Sequence, residues 1–343
     1  MKELLKTLTE TFGPSGHEQA IRDVIREEIT PLADEIRVDA LGNLIARKGS
    51  LGKNGMRVMV AAHMDEIGLV ANHIDEDGFV RFTTVGTPYG RNMLGGRVHF
   101  ANGVRGVIGC EQPGISREVP PVEKLFIDVG ASSVSECPVA VGDVAAFERP
   151  LIEAGKRLVA KSLDNRAGVL VAIEVMRRLT GAPARAGSGG TGPNELHFVF
   201  TVQEEVGKRG ATVSSYGIDP QIGLAIDVFQ TDDTPGTARG DLALGKGPAI
   251  IMKAALMLAD PRVVTWMTQI AEEHGIPIQR EVLSGAGTDA QAMQLARAGV
   301  LAGSLGIPCR YVHSPSEMVD MDDLEYAVAL VTAMLSGPVG IEL

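Results

Sequence analysis

The 343-residue sequence is poor in cysteine, in aromatic side chains and in long apolar runs. Its three cysteines, Cys110, Cys137 and Cys309, are far apart and form no CxxC pair, so neither a disulfide framework nor a thiolate zinc site is expected. Because aromatic residues make up 4% of the chain and only one is tryptophan, a stacking platform for nucleic acid or sugar is not expected. No apolar run reaches the roughly 20 residues that a membrane-crossing helix needs.

An excess of basic charge is also missing. The chain has 32 Lys+Arg and 43 Asp+Glu, a formal net charge of −11, which argues against a nucleic-acid partner or an anionic membrane because phosphate binding needs basic patches. Residues 1–12 are charged and amphipathic and lack the apolar core of a signal peptide. These features predict a cytoplasmic protein. Any bound metal would be held by His, Asp and Glu rather than by thiolates.

The hydrophobic periodicity of the chain changes twice. Residues 1–66 and 160–343 alternate helical patterns with short apolar runs, which is typical of an α/β domain. Residues 67–159 contain short β-like runs separated by Gly and Pro, which is typical of a small barrel or sandwich. We therefore predict a discontinuous α/β domain, with a mixed sheet flanked by helices, and an inserted all-β, barrel-like domain. The Gly- and Ala-rich residues 182–194 are expected to form a mobile surface loop.

Polar side chains stand where buried strands are expected to end, and ligands bind outside the carboxyl ends of strands in an open α/β sheet. The run VMVAAHMDE, residues 58–66, reaches His63 at the end of an apolar stretch. Asp65 follows two residues later, where it could accept a hydrogen bond from the ring nitrogen of His63 that does not face a metal. A simple polar exit from the strand is the alternative interpretation.

Glu204 and Glu205 follow another apolar run in LHFVFTVQEEVGKRGA, residues 196–211. Two adjacent carboxylates repel each other, and in an extended backbone their side chains point to opposite faces. One reason to place both here is a division of labour, in which one binds metal and the other handles protons. A solvated acidic turn remains the alternative.

Three further candidates lie at element boundaries. Asp227 interrupts the apolar LAIDVF, and a buried carboxylate needs a metal, an arginine or capping donors. His313 ends a short predicted strand in CRYVHSPSEM, before an expected helix start, and a lone histidine there is more often structural. In LVAKSLDNRAG, either Asp164 or Asn165 can cap the following helix, although a carboxylate at a helix N-terminus is also held ionised, as a metal-bridging ligand must be.

The specificity lies in the set, because none of these segments is a compact motif. Two histidines, two aspartates and one glutamate suit two divalent ions that share a carboxylate. Paired ions polarise a carbonyl and generate a bound hydroxide, and a spare glutamate beside a ligand can act as general base. The chain has no G-x-S-x-G elbow, and GAGTDA at residues 285–290 lacks the lysine of a phosphate-binding loop.

Taken together, these segments resemble the tetrahedral aminopeptidases, the dinuclear metallopeptidase family that also includes glutamyl aminopeptidase and the proteins labelled cellulase M. The resemblance covers nearly the whole chain and is carried by AAHMDEIG, KSLDNRAG, TVQEEVGKRGA, AIDV, LGKGPAI and HSPSEM. It implies a role for each site residue: His63 and Asp227 hold one metal, His313 and Glu205 hold the other, Asp164 bridges them, Glu204 is the general base and Asp65 orients His63.

The resemblance also implies a zinc-peptidase-like α/β domain and an enzyme that releases N-terminal residues from short peptides. Two divalent ions per chain are expected, with zinc as first choice and cobalt or manganese as alternatives. The β insertion corresponds to the family's dimerisation domain, and the dimers are expected to assemble into a tetrahedral dodecamer. Three alternatives stay open: a metal-dependent deacylase or dipeptidase with the same ligands, a glycoside hydrolase, and a non-catalytic assembly protein.

Overall fold

The computed structural model describes residues 1–111, 120–181, 190–237 and 242–342. Most of the loop expected at residues 182–194 lies outside these ranges. In its described part, Thr191 and Asn194 are buried. A search of the described helices for a span long and apolar enough to cross a membrane finds none.

The chain forms eighteen strands and eight α-helices within the described residues. The strands are β1 (Glu35–Val38), β2 (Leu44–Lys48), β3 (Arg57–His63), β4 (Gly68–Ile74), β5 (Val80–Val85), β6 (Arg97–Phe100), β7 (Arg105–Cys110), β8 (Leu125–Asp128), β9 (Val144–Phe147), β10 (Ile152–Ala154), β11 (Arg157–Ala160), β12 (Glu195–Thr201), β13 (Ile222–Gln230), β14 (Ala249–Ala254), β15 (Met257–Leu258), β16 (Gln279–Val282), β17 (Leu301–Arg310) and β18 (Glu317–Asp320). The α-helices are α1 (Lys2–Glu10), α2 (Gln19–Ile29), α3 (Gly90–Met93), α4 (Leu163–Gly181), α5 (Arg209–Ile218), α6 (Pro261–Glu273), α7 (Asp289–Gln294) and α8 (Met321–Leu335).

A 12-stranded mixed sheet forms the α/β part of the fold, in the order β1-β2-β12-β3-β13-β17-β18-β11-β10, with β14, β15 and β16 joined through β17. The four central strands β12, β3, β13 and β17 are parallel. Both faces of such strands are covered, which is why they appear in the sequence as nearly continuous apolar runs. All residues of β3 after Arg57 are buried.

Alternate residues of β3 feed two cores on opposite faces of the sheet. Val58, Val60 and Ala62 belong to the larger core, which includes residues of α1, α4 and α8. Met59 and Ala61 belong to a smaller core that includes residues of α5 and α7. The helices therefore cover both faces of the parallel strands. The carboxyl ends of these strands are left uncovered, and polar side chains can meet there.

The β-rich segment forms a closed barrel of the strands β4-β5-β8-β7-β6-β9. It has its own apolar core, built from inward-facing residues such as Leu69, Phe100, Ile127 and Phe147. A mixed sheet flanked by helices, combined with a barrel-like all-β unit, is the fold class predicted from the sequence, and this prediction is confirmed.

One local expectation is wrong. The acidic residues after His313 predict the start of a helix, but Glu317–Asp320 forms β18 and the helix α8 begins only at Met321. Asp320 is the N-cap of α8, where its side chain accepts a hydrogen bond from the backbone of Asp322. The strand forms because it pairs with β17 on one side and β11 on the other, a long-range pairing that local propensity does not reveal.

Candidate metal centre and active site

His63 and Asp227 meet at the carboxyl edge of the parallel sheet. Ala61 of β3 pairs with Ala225 of β13, so His63 and Asp227, each two residues further along, stand side by side. The distance from His63 Nε2 to Asp227 Oδ1 is 3.6 Å. Both side chains are buried, and that of His63 is only 2% exposed.

Asp164 lies between the two candidate histidines. Its Oδ1 is 3.0 Å from Nε2 of His63 and its Oδ2 is 3.2 Å from Nε2 of His313. Asp164 can face both histidines because the start of α4 is irregular: Asp164 and Asn165 have non-helical backbone angles. Asn165 is the residue that caps the helix, since its Oδ1 accepts a hydrogen bond from the backbone of Gly168 at 2.9 Å. The sequence left both residues open as caps, and the structure leaves the Asp164 carboxylate facing both histidines.

Glu205 completes the set beside His313. Its Oε2 is 3.4 Å from His313 Nε2. Within the described residues, ligand atoms fall into two groups, His63–Asp164–Asp227 and Asp164–Glu205–His313, and the atoms of each group lie within 4.8 Å of one another. The structure thus brings together all five ligands that the sequence predicted, in two groups that share Asp164.

The chemistry of this set fits two divalent cations. Imidazole nitrogens and carboxylate oxygens are ligands for zinc and its neighbours in the first transition row. In the part of the chain that the structure describes, the buried Oε1 atom of Glu205 has no hydrogen-bond partner. A buried carboxylate oxygen without a donor is costly unless a cation faces it, so the residues present fit the metals that the resemblance implies.

Asp65 connects His63 to the glutamate pair. Nδ1 of His63 is 3.2 Å from the main-chain oxygen of Asp65 and 3.5 Å from its Oδ1. The same carboxylate accepts hydrogen bonds from the backbone N–H of Glu204 at 3.0 Å and of Glu205 at 3.2 Å, and from Ser15 Oγ at 2.6 Å. Burial alone would raise the pKa of Asp65, but the hydrogen bonds to His63 and Ser15 lower it. Asp65 therefore stays ionised and fixes three groups of the site.

Glu204 faces the cavity without a histidine partner. Its Oε1 is 3.4 Å from Nζ of Lys208. Burial, together with the negative charges of Asp227 and Asp289, raises the pKa of Glu204 to about 8 in the metal-free chain. A carboxylate whose pKa lies near neutrality can both accept and return a proton.

The candidate ligands shift one another's pKa values in the metal-free chain. Burial of the His313 ring is outweighed by its hydrogen bond to Asp164 and by the charge of Glu205, which raise the pKa of His313 to about 10. The pKa of Asp164 is lowered despite burial, because it is hydrogen bonded to both histidines. Burial raises the pKa of Glu205 and of Asp227. The cluster therefore holds protons that a divalent cation would displace.

Two residues that the sequence analysis did not single out hold His313 and Asp164. The carboxylate of Glu317 accepts hydrogen bonds from the backbone N–H of His313 and of Asp164, each at 2.8 Å. Thr87 Oγ1, from the segment after β5, is 2.9 Å from Nδ1 of His313. Glu317 lies inside the HSPSEM segment, which was the available signal for it, whereas nothing in the sequence connects Thr87 to His313.

A cavity of about 1130 Å³ opens over these side chains. Its lining includes Thr87 and Tyr89, from the segment between β5 and α3, and also Phe229 and Leu283. Small-molecule sites commonly measure about 300–1,000 Å³, so this cavity is large enough for a short peptide beside the ligand set.

Comparison with known proteins gives matches over almost the full chain. The sequence is 35% identical over 349 residues to the lysyl aminopeptidase of Pyrococcus furiosus, covering 97% of this chain and 96% of that protein. The structure matches an aminopeptidase of the archaeon Desulfurococcus kamchatkensis with a TM-score of 0.91 and 39% identity, covering 97% and 94% of the two chains. It also matches the TET1 peptidase of Pyrococcus horikoshii, which can assemble into a tetrahedron or a large octahedral shell, with a TM-score of 0.84, 34% identity and 99% coverage of both.

These matches confirm the predicted resemblance to the tetrahedral aminopeptidases and the predicted enzyme class, a hydrolase acting on peptide bonds. The family model described as M42 glutamyl aminopeptidase matches residues 42–330, a span that includes every candidate ligand. The chain is an aminopeptidase and belongs to the M42 glutamyl aminopeptidase family.

Proposed function

We propose that this aminopeptidase uses two divalent metal ions to release N-terminal residues from short peptides. The observation that carries the proposal is the pair of ligand groups that share Asp164 and line the cavity. His63 and Asp227 would hold one ion and His313 and Glu205 the other. Zinc is the first choice of metal, and cobalt or manganese also suit these ligands.

When bound, the two ions supply polarisation of the scissile carbonyl and a water of lowered pKa. Glu204 takes the proton of the attacking water and returns it to the leaving amine. Among the described residues, Glu204 differs from Glu205 in what lies near its carboxylate: Lys208 lies 3.4 Å from Glu204, whereas His313 lies 3.4 Å from Glu205. Asp65 keeps the ring of His63 oriented with Nε2 toward the ligand group.

The same five ligands would serve a metal-dependent deacylase or dipeptidase, so substrates decide between these activities. The chain should be freed of metal with a chelator, reloaded with zinc, cobalt or manganese, and assayed on amino-acid 4-nitroanilides, dipeptides and N-acyl amino acids. Release of nitroaniline with at least one metal, and no turnover of N-acyl amino acids, is the expected result. Turnover of N-acyl amino acids alone would replace the aminopeptidase mechanism by deacylation. Metal analysis of non-chelated protein should approach two ions per chain.

The assembly of the chain belongs to the same proposal. Residues 67–159 would form a dimerisation domain inserted between the two parts of the catalytic domain, residues 1–66 and 160–343, and dimers would build a tetrahedral dodecamer in the cytoplasm. The support is the closed barrel in this segment and the likeness to TET1 of Pyrococcus horikoshii, which assembles into a tetrahedron. Light scattering should give a particle of about twelve chains, and a stable, fully active monomer at dilute concentration would contradict the assembly.

A further inference from the structure

Glu317 connects the backbones of two candidate ligands that are far apart in the sequence. One carboxylate oxygen, Oε1, accepts a hydrogen bond from the backbone N–H of His313, and the other, Oε2, accepts one from Asp164, both at 2.8 Å. Glu317 is 1% exposed, and in the described part of the chain these two N–H groups are the hydrogen-bond donors to its carboxylate. A buried carboxylate is costly unless it is hydrogen-bonded, so the two N–H groups help to hold it.

The position of Glu317 in the sheet explains how it reaches both ligands. It begins β18, which lies between β17 and β11 in the strand order. The chain continues from β17 to His313 and from β11 to Asp164. Cys309 of β17 pairs with Val319, and Ala160 of β11 pairs with Glu317. The middle strand thus presents one carboxylate to the two segments that leave its neighbours.

The two candidate ligand backbones differ in how much they need such support. His313 has a φ of 60°, in the left-handed region that is costly for a non-glycine residue. Such a conformation persists only where the surroundings hold it in place, and Glu317 accepts the N–H of His313. Asp164 has a φ of −79° and a ψ of 104°, an extended conformation that any residue adopts, so its hydrogen bond to Glu317 fixes its position rather than a strained backbone.

We propose that Glu317 is a positioning residue that sets the placement of Asp164 relative to His313 and so determines the affinity of the ion site formed by Asp164, Glu205 and His313. The inference rests on the proposed two-metal function and extends it to a residue that touches neither ion. The ion site of His63, Asp164 and Asp227 depends on it less, because Asp164 is the only one of these three whose backbone Glu317 holds. His63 and Asp227 project from β3 and β13, with which β18 does not pair.

The substitution Glu317→Gln tests this role with little change in shape. A carboxylate accepts both N–H groups, one on each oxygen, whereas a carboxamide has one acceptor oxygen and an NH₂ group that would face the other N–H. One of the two backbones is then released. Groups that orient metal ligands typically contribute 10–100-fold in metal affinity, so the ion site formed by Asp164, Glu205 and His313 should lose affinity by about that factor.

Asp323→Asn provides the matched control. Asp323 is also a buried carboxylate that accepts two backbone N–H groups, from Gly245 and Gly247, each at 2.7 Å. It holds neither ligand backbone. Asp323→Asn should weaken these two hydrogen bonds. It should lower the melting temperature, as Glu317→Gln should, but should leave metal affinity unchanged.

The experiment is a calorimetric titration of metal-free protein with cobalt(II), together with the visible absorption of the bound cobalt. Wild type should show two binding events, Glu317→Gln should show one event near the wild-type affinity and one weakened 10–100-fold, and excess cobalt should restore kcat with little change in KM. Glu317→Asp, which keeps the charge but is one methylene shorter, should weaken the same event and serves if the Gln variant does not fold.

The outcomes separate the two proposals. A wild type with a single binding event would overturn the two-metal function and this inference with it. Two wild-type events that both persist unchanged in Glu317→Gln and Glu317→Asp would overturn the inference alone, as would an equal loss of metal affinity in Asp323→Asn.

Discussion

At the scale of single residues, the adjacent Glu204 and Glu205 differ in what faces them. Oε2 of Glu205 is 3.4 Å from a ring nitrogen of His313, whereas Oε1 of Glu204 is 3.4 Å from the ammonium of Lys208. We expect Glu204→Gln to lower kcat by about 10²–10⁴-fold, the usual contribution of a general acid–base group, with metal content near that of wild type. Glu205→Gln should lose one ion first, and excess metal should restore part of its activity.

Steady-state kinetics and metal analysis of the two variants check this assignment. Both glutamates receive the same support, because Asp65 accepts the backbone N–H of each, so a general folding defect would affect the two variants alike. Loss of metal in Glu204→Gln but not in Glu205→Gln would reverse the roles of base and ligand.

Thr87 offers a second prediction at this scale. Its hydroxyl is 2.9 Å from Nδ1 of His313 and can accept a hydrogen bond from that nitrogen, which leaves Nε2 free for the ligand group. Thr87→Val removes the acceptor with almost no change in volume and should weaken metal binding by about 10-fold, at the low end of the range for such groups. Thr87→Ser keeps the hydroxyl and should bind metal as wild type does. Equal affinities for cobalt(II) in both variants would exclude the orienting role.

The five candidate ligands could be named from the sequence because each stands out in its local pattern, although Asp227 lies inside β13 and not at its end. His63 ends an apolar run, and Asp164 precedes a helical pattern. Glu317 and Thr87 could not be predicted in the same way. The contacts of Glu317 depend on the pairing of β18 between two other strands. The contact of Thr87 depends on the approach of the segment after β5 to His313. The hydrophobic periodicity of the sequence does not predict either contact.

At the scale of secondary-structure elements, α5 holds the glutamate pair against the sheet. Its residue Gly210 donates a backbone hydrogen bond to the Val202 carbonyl at 3.0 Å. A Cβ at this position would collide with that carbonyl oxygen and with Oδ1 of Asn43. Gly210→Ala must therefore displace α5 or the end of β12, at a cost of about 1–3 kcal/mol, and it should lower kcat because Glu204 moves with this segment.

Gly217 is a matched position in the same helix. No atom of the described residues lies within 4 Å of a Cβ placed there, and alanine is favoured over glycine in a helix by up to about 1 kcal/mol. Gly217→Ala should therefore leave kcat unchanged and keep or raise the melting temperature. Thermal unfolding and kinetics of both variants test the difference, and a Gly210→Ala protein as stable and active as Gly217→Ala would show that the close approach is not needed.

Elements were predictable where one local signal was strong. Asp260 followed by Pro261 predicts the start of α6, and the Asp260 side chain does accept the backbone N–H of Arg262. Helix α5 has no such signal: its sequence RGATVSSYGI contains glycine and serine, which favour helices weakly. It forms because it packs against α7 and the sheet, and this tertiary contact overrides propensity.

At the scale of the whole molecule, the ligand set couples stability to pH. In the metal-free chain, burial together with Asp227 raises the pKa of Glu204 to about 8. Against the effect of burial, the hydrogen bond to Asp164 and the charge of Glu205 raise the pKa of His313 to about 10. A group whose pKa is higher in the folded state than in the unfolded state stabilises the fold below its unfolded pKa and loses that contribution as pH rises through its folded pKa.

These pKa values give the pH range over which the metal-free fold loses stability. The contribution of Glu204 is lost between about pH 4.5 and 8, and that of His313 between about pH 6.5 and 10. The lowered pKa of Asp164 acts in the opposite direction, but its contribution is complete well below pH 6 and does not change in this range. The melting temperature of the metal-free protein should therefore fall as pH rises from about 6 to about 9.

Metal binding should reverse this trend, because the ions bind only the deprotonated ligands and their affinity increases as the cluster loses protons. The difference in melting temperature between metal-loaded and chelated protein should therefore widen from about pH 6 to about pH 9. Differential scanning calorimetry at matched ionic strength measures both forms. The variant Asp227→Asn removes one ligand charge, so its metal-free form should lose less stability over this pH range. The difference in melting temperature between its metal-loaded and chelated forms should also be smaller than in the wild type. If this difference in melting temperature instead narrows with rising pH in the wild type, these side chains do not form a common site for the ions.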